Sequence, residues 1–228
     1  MRLSSFIFIL SVLGTLSLAT VPLSACPDGS SPSVIAQKIS ITGVRNAGKV
    51  SEHLYRGAQP HLTDLSELKK LGVTTIIDLR AESSATAELE RILAELLGMH
   101  FLRIPIGGFS TPNNSDLAQF FRVLSDSPPH TIFIHCEFGE DRTGVMIASY
   151  RIAFERWSAD QALSEMLAFG FNRWAHRSMA SFIRKLPDRL KSDPELRKAL
   201  DPASNSMPEP PASLSFFLSP STFVPFLK

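Results

Sequence analysis

His135-Cys136-Glu137-Phe138-Gly139-Glu140-Asp141-Arg142-Thr143-Gly144, residues 135–144, joins an apolar run to a helical-looking one. Between them stand a cysteine and an arginine separated by five residues. A thiol is a poor nucleophile until it loses its proton, and nearly everything local favours that loss. The N–H groups of a short loop can converge as an anion nest. The helix that opens near Thr143 turns its positive end to the same point. Arg142 adds a permanently charged fork that suits a phosphoryl group. One cradle then serves both a thiolate and a bound phosphate, through residues Glu137, Phe138, Gly139, Glu140, Asp141 and Arg142.

Outward from this stretch, residues 131–135 form the strand that delivers Cys136, and residues 143–154 form the helix that leaves it. Residues 39–44 and 54–56 read as short strands around a loop that contains Gly48. Leucines 62, 65, 68 and 71 recur at helical spacing, and Gly72 stops that helix. Residues 73–79 are β-branched and apolar, a buried strand. Residues 85–97 form a helix whose apolar side carries Leu89, Ile92, Leu93, Leu96 and Leu97. A strand over residues 99–106, a polar loop over 107–115 and a helix to about residue 124 follow. Ser158 to Gln161 is a capping box for a helix that stops at Gly170. A further helix over residues 174–186 ends at Pro187, and residues 194–200 add a short one. Strands alternating with helices predict an α/β sandwich with a mainly parallel central sheet of about four or five strands, flanked by helices. Ligands collect at the carboxyl ends of such strands, where Cys136 sits.

The chain has 228 residues, 23 Lys and Arg against 22 Asp and Glu, and a net charge of +1, which argues against a nucleic-acid binder. Its two cysteines, Cys26 and Cys136, rule out a disulfide framework, although a single bridge is arithmetically open. Residues 1–25 read as a secretory signal: Arg2, an apolar run over residues 6–18, then small residues. Two endings compete. Small residues at 17–19 offer a cleavage site, whereas Leu23-Ser24-Ala25-Cys26 resembles a bacterial lipobox, with Cys26 as the lipid-bearing residue of a membrane-attached lipoprotein. An uncleaved anchor over residues 6–23 is the alternative. Either way the expected location is outside the cytoplasm. Residues 26–38 form a linker, 39–200 the catalytic domain and 201–228 a tail without fixed structure.

The motif and its setting resemble the cysteine-dependent protein tyrosine and dual-specificity phosphatase superfamily. HCEFGEDRTG carries the resemblance, and so do Tyr55 to Pro60 (YRGAQP), Ile77 to Arg80 (IDLR), Tyr150-Arg151 and residues 157–169, over roughly residues 40–185. The resemblance implies a phosphotyrosine or dual-specificity phosphatase acting on a phosphorylated protein or peptide, with no cofactor and no metal. Cys136 attacks phosphorus and becomes a phosphocysteine. Arg142 and the loop amides hold the equatorial oxygens. Thr143 donates to the departing sulfur, and His135 supports the loop from behind, on the far side of the strand from Cys136. The family takes its general acid from an Asp on an upstream loop. Here Asp116 is the carboxylate available from that loop, with a rival role as a first-turn helix residue; Asp141, directly before Arg142, is the other candidate.

Glu137, Glu140 and Asp141 make the loop acidic, which disfavours polyphosphorylated inositol ligands. Asp78 and Arg80 read as a structural pair. Arg56, placed in an early loop, either reaches the pocket or forms a salt bridge. Trp157, Trp174, Phe169 and Phe171 read as packing. The rival functions are a phosphoinositide phosphatase, a sulfurtransferase or arsenate-reductase type of anion-loop enzyme, and a pseudophosphatase that binds phosphorylated ligands without turnover.

Overall fold

Ile132-Phe133-Ile134-His135-Cys136 is buried at every position and forms the inner strand of a six-stranded sheet. The computed structural model describes residues 34–82, 85–125 and 130–201. The strands are β1 (Gln37–Lys38), β2 (Gly48–Ser51), β3 (Leu54–Ala58), β4 (Thr75–Arg80), β5 (His100–Ile106) and β6 (Ile132–Cys136). The helices are α1 (Leu65–Lys70), α2 (Ala85–Leu96), α3 (Asn114–Ser125), α4 (Asp141–Phe154), α5 (Ala159–Ala168), α6 (Arg177–Ser192) and α7 (Pro194–Ala199). The spatial order is β1-β2-β3-β6-β4-β5. The four strands β3, β6, β4 and β5 run parallel, and β1 and β2 add an antiparallel edge. The α/β sandwich with a mainly parallel sheet is therefore as the sequence predicts, with six strands in place of the four or five expected because β1 and β2 extend the edge. Helix-covered on both faces, its inner strands are continuous apolar runs rather than alternating ones.

Side chains of β6 alternate between two cores. Ile132, Ile134 and Cys136 join the larger core with residues of α3 to α7. Phe133 faces the smaller core with Ile76, Tyr55, Leu65 and Ala94. Helix α4 is buried at ten positions, Arg142 to Ser149, Arg151 and Ile152, because the sheet covers one side and α5 and α6 cover the other. The register sets Ala58 beside Cys136 and Asp78 beside His135, so the carboxyl ends of three strands meet at one place.

The structure corrects three expectations. The first strand is not residues 39–44: Gly43 and Asn46 both have positive φ, so the chain reverses there, and Gly48 lies inside β2. Arg56 lies in strand β3, within the stretch 54–56 that reads as a strand. On α2 the buried residues are Ala87, Glu90 and Ala94, while Leu89, Ile92 and Leu96 are exposed; the helix is rotated because Glu90 takes an inward ionic position. Helix α6 starts at Arg177 and runs through Pro187 to Ser192. Proline in a helix interior costs about 3 kcal/mol, but the apolar face of Met179, Phe182, Ile183 and Leu186 continues to Leu190 beyond it. The capping box at Ser158 and Gln161 is formed as predicted. The proposed signal, lipobox and tail lie outside the described residues, and no helix within them is long and apolar enough to cross a membrane.

Glu90, Arg80, Asp78 and His135 form one buried network between α2, β4 and β6. Arg80 donates to Asp78 at 2.8 and 3.0 Å and to Glu90 at 2.6 Å, and His135 Nε2 lies 3.0 Å from Glu90 Oε1. Asp78 and Glu90 have no exposed surface. Burial pushes the Asp78 carboxyl up, but the Arg80 hydrogen bonds and the His135 and Arg80 charges outweigh it and hold the carboxyl below the usual range. Its contribution to stability is thus complete above the ordinary aspartate pKa of about 4 and fades as pH falls through the lowered value. Asp78→Asn should cost about 3–5 kcal/mol at neutral pH, with the gap to the parent closing in urea melts taken at progressively more acidic pH.

Candidate active site

The loop between β6 and α4 is a run of outward-held carbonyls. His135 Nδ1 lies 3.3 Å from the Cys136 carbonyl oxygen, as suits an Nδ1 that carries hydrogen. The Gln59 N–H donates to Glu137 O at 3.3 Å. Asn46 Nδ2 lies 3.5 Å from Phe138 O and donates to Gly139 O at 3.2 Å and Phe169 O at 2.9 Å. Arg56 Nη2 donates to Gly139 O at 2.7 Å, and the Gly144 N–H donates to Glu140 O at 3.0 Å. A trans peptide sets its C=O and N–H on opposite sides, so these ties turn the intervening N–H groups to the concave side. Those of Phe138, Gly139 and Glu140 have no carbonyl partner among the described residues. Such unpartnered N–H groups are the raw material of an anion nest.

Gly139 is required for this shape. Its φ is +71°, and a Cβ there would lie 2.4 Å from the Gly57 carbonyl carbon and 2.5 Å from the Ala58 nitrogen. No side chain fits between the loop and β3. Arg56 is fully buried, with its guanidinium 4.0 Å above the Phe169 ring centre. Burial pushes that guanidinium down to about 10, while the Glu165 and Cys136 charges pull it up. It therefore reaches toward the loop and makes no salt bridge among the described residues.

Cys136 is 3 % exposed at the end of β6. Arg142, also buried, is gripped from one side: Nη1 donates to Glu82 Oε2 at 3.1 Å and to Ile106 O at 3.3 Å. Its Nε and Nη2 donate to no acceptor among the described residues, which leaves one edge of the fork free. Glu82's own N–H and, against burial, the Arg142 contact hold the Glu82 carboxyl below its usual range. The Thr143 hydroxyl is buried without a hydrogen-bond partner among the described residues.

Around the lip, Asp141 Oδ2 lies 3.3 Å from His176 Nε2, and Oδ1 accepts from the Asn172 N–H at 3.4 Å. His176 stacks on Phe109 of the 107–113 loop, with ring centres 5.0 Å apart. Asp116 has a different employment. Its Oδ2 accepts from the Asn113 N–H at 2.9 Å while Asn113 Oδ1 accepts from the Asp116 N–H at 2.9 Å, a reciprocal cap at the start of α3. Phe169, Phe171 and Trp157 are buried as predicted, but Trp174 is 69 % exposed: Asn172 Oδ1 accepts from the Trp174 and Ala175 N–H groups, and this turn swings the indole outward.

Sequence reasoning did not single out Asn46, Glu82, Glu90 or His176. Glu82 follows a strand's carboxyl end, where site residues collect. Glu90 shares the small-residue face of Ala87 and Ala94. Asn46 is a residue type that tolerates positive φ. His176 carries no comparable local signal.

Residues 36–182 match the sequence model of a family described as DSP-PTPase phosphatase fused to NAD+ kinase. Dual specificity protein phosphatase TpbA of Pseudomonas aeruginosa is 28% identical over 136 residues, 55% of this chain and 55% of that protein. Inositol diphosphatase DSP5 of Arabidopsis thaliana is 27% identical over 138 residues, 59% of this chain and 66% of that protein. The chain thus spans little more than half of TpbA. Among solved structures, P. aeruginosa TpbA superposes with a TM-score of 0.56 at 22% identity, covering 69% of this chain and 97% of the other. The core catalytic domain of the PP-IP phosphatase SIW14 from S. cerevisiae gives 0.58 at 24% identity, covering 70% and 94%. These superpositions establish the fold.

Removing either donor to Gly139 should loosen the nest. Asn46→Ala and Arg56→Met are each expected to weaken orthovanadate binding about tenfold, read by isothermal titration, whereas Arg56→Lys recovers part of the loss because it restores a cationic donor.

Proposed function

Since the chain belongs to the DSP-PTPase phosphatase family, we propose that it hydrolyses phosphomonoesters through a phosphocysteine, acting on phosphotyrosine in proteins or peptides with dual specificity. What supports this reading is the loop after Cys136, whose carbonyls accept from Gln59, Asn46 and Arg56 while the N–H groups of Phe138, Gly139 and Glu140 have no carbonyl partner among the described residues, with one edge of Arg142 left free. A relative supports the substrate class: TpbA has been crystallised in complex with pTyr.

In the first step the Cys136 thiolate attacks phosphorus. The S–P bond forms, the P–O ester bond breaks, and the leaving oxygen takes its electron pair and a proton. The loop amides and Arg142 Nε and Nη2 hold the three equatorial oxygens, where charge spreads in the transition state. In the second step water attacks phosphorus and sulfur departs with the S–P pair. The unpartnered Thr143 hydroxyl donates to that sulfur, and the water proton passes to the carboxylate that gave one up. Covalent catalysis divides one hard transfer into two easier ones.

We assign the proton donor to Asp141. It directly precedes Arg142 at the start of α4, with His176 Nε2 3.3 Å from its Oδ2, whereas the Asp116 carboxylate is engaged in the α3 cap. A donor must be protonated, so activity falls as pH rises through its pKa. Asp141→Asn should therefore lose the basic limb of the pH–rate profile on p-nitrophenyl phosphate, with kcat lowered about 10²-fold or more. Asp116→Asn should keep the limb and lose about 1 kcal/mol of stability. Cys136→Ser should abolish turnover while still binding phosphopeptide. Wild-type activity in that variant, or no turnover by the parent, would remove the reading.

Inositol diphosphate hydrolysis is a second reading, favoured by the name of the Arabidopsis relative. The loop charge opposes it, since Glu137, Glu140 and Asp141 flank the nest. Phosphotyrosine peptide should be turned over with the higher kcat/KM; the reverse order would transfer the assignment. Export with Cys26 lipidated belongs to the same proposal, and palmitate labelling that disappears in Cys26→Ala tests it.

A further inference from the structure

Beside the lip, α5, α6 and their connection enclose a cavity of about 280 Å³. Leu163, Leu167, Phe171 and Trp174 give it an apolar lining, and Arg173, Arg177 and Arg184 supply its charge. No acidic residue lines it. Arg173, Arg177 and Arg184 have no ion-pair partner among the described residues; Arg173 lies 4.9 Å from the Trp174 ring centre. Arginines elsewhere on the helices can be paired: Arg151 pairs with Glu155 and Glu165, and Arg91 with Glu88 and Glu95. Glu165 of α5 is thereby committed to Arg151.

The cavity is joined to the phosphate loop by the segment that lines it. Phe171 lies in the cavity wall, and the next residue, Asn172, donates its N–H to Asp141. His176, which ends the same segment, contacts Asp141 from the other side. A side chain seated among the three arginines and a phosphate in the nest would be bridged by a few residues of one chain.

We propose that this cavity is a docking subsite for the phosphoprotein substrate. It takes a segment in which an acidic residue and an apolar residue flank the phosphorylated one. The proposal rests on the phosphatase reading. Charge complementarity assigns the acidic partner, and the apolar lining assigns the anchor beside it. The volume falls just below the roughly 300–1,000 Å³ that encloses a whole drug-sized ligand, a scale that suits one or two side chains. The acidity of the catalytic loop makes such a subsite useful. It attracts an acidic substrate at a distance from Glu137 and Glu140, which repel one placed directly against the loop.

The test compares kcat/KM of the full chain on phosphotyrosine peptides with that on p-nitrophenyl phosphate. A peptide with Glu and Leu flanking the phosphotyrosine should exceed its Gln and Ser counterpart about tenfold, the sum of several modest exposed charge contacts and one apolar anchor. The difference should lie in KM. Arg177→Ala with Arg184→Ala should erase the preference relative to p-nitrophenyl phosphate, and Arg177→Glu with Arg184→Glu should shift it to a Lys-bearing peptide. Equal kcat/KM for the two peptides, with p-nitrophenyl phosphate still turned over, overturns the subsite and leaves the phosphatase reading intact. Failure to turn over p-nitrophenyl phosphate brings down both. Arginine-dependent binding to phosphatidylserine vesicles without any peptide preference overturns the peptide assignment in favour of a membrane surface.

Discussion

The Gly139 carbonyl receives two donors, Arg56 from β3 and Asn46 from the turn before β2. That double tie fixes which way a peptide plane faces, and the plane decides whether the loop gathers anions or repels them. A reversed plane would point a carbonyl at the nest. The tie requires Arg56 to lie fully inside the protein with Nε and Nη1 unpartnered among the described residues. Burial of an isolated cation is costly. Here the Phe169 ring lies 4.0 Å from the guanidinium, and cation–π attraction strengthens when desolvated. Phe169 also offers its own carbonyl to Asn46, so one residue closes the arrangement from the α5 side.

A second constraint acts from behind the sheet. Side chains of β6 alternate faces, so a one-residue slip would carry His135 to the face of Cys136 and the thiol to the wrong core. The ionic network opposes that slip. His135 meets Glu90 only in the observed register, and Glu90 is in turn fixed by Arg80 and Asp78. Apolar packing alone tolerates shape-conserving exchange, whereas a buried charge left without its partner is strongly destabilising. The network thus holds the cysteine's position more sharply than the surrounding Ile and Phe side chains can.

What the sequence made legible was what local chemistry decides. The strand–loop–helix around Cys136 depends on an apolar run, a glycine and a helix start, all within residues 131–154, and it appears in the structure as read. The capping box at Ser158 is equally local. Several of the failures trace to tertiary partners, others to local turns at Gly43, Asn46 and Asn172. Helix α2 has an apolar stripe that predicts the buried face, yet Glu90 turns the other way because Arg80 and His135 wait inside. Pro187 reads as a stop until the apolar face on both sides of it is seen buried. Asn46 serves a loop 92 and 93 residues away, a relation that no spacing rule within one sequence reveals. Asp116 and Asp141 show the limit at the site itself: position made both candidates, and only their hydrogen bonds separate the capping carboxylate from the one beside Arg142.

The charges around the site follow a division of labour. Within the loop, backbone N–H groups supply positive field without adding cations, so Glu137, Glu140 and Asp141 can line it and still leave the nest intact. Arg142 is the exception, and Glu82 with the Ile106 carbonyl steadies one of its terminal nitrogens while leaving the opposite edge open. A single phosphoryl group matches that edge and the amides. Arg173, Arg177 and Arg184 stand farther out, on α6 and the connection that leads to it. Asn172 and His176 tie that connection to the Asp141 carboxylate, so one short segment links the outer arginines to the start of α4.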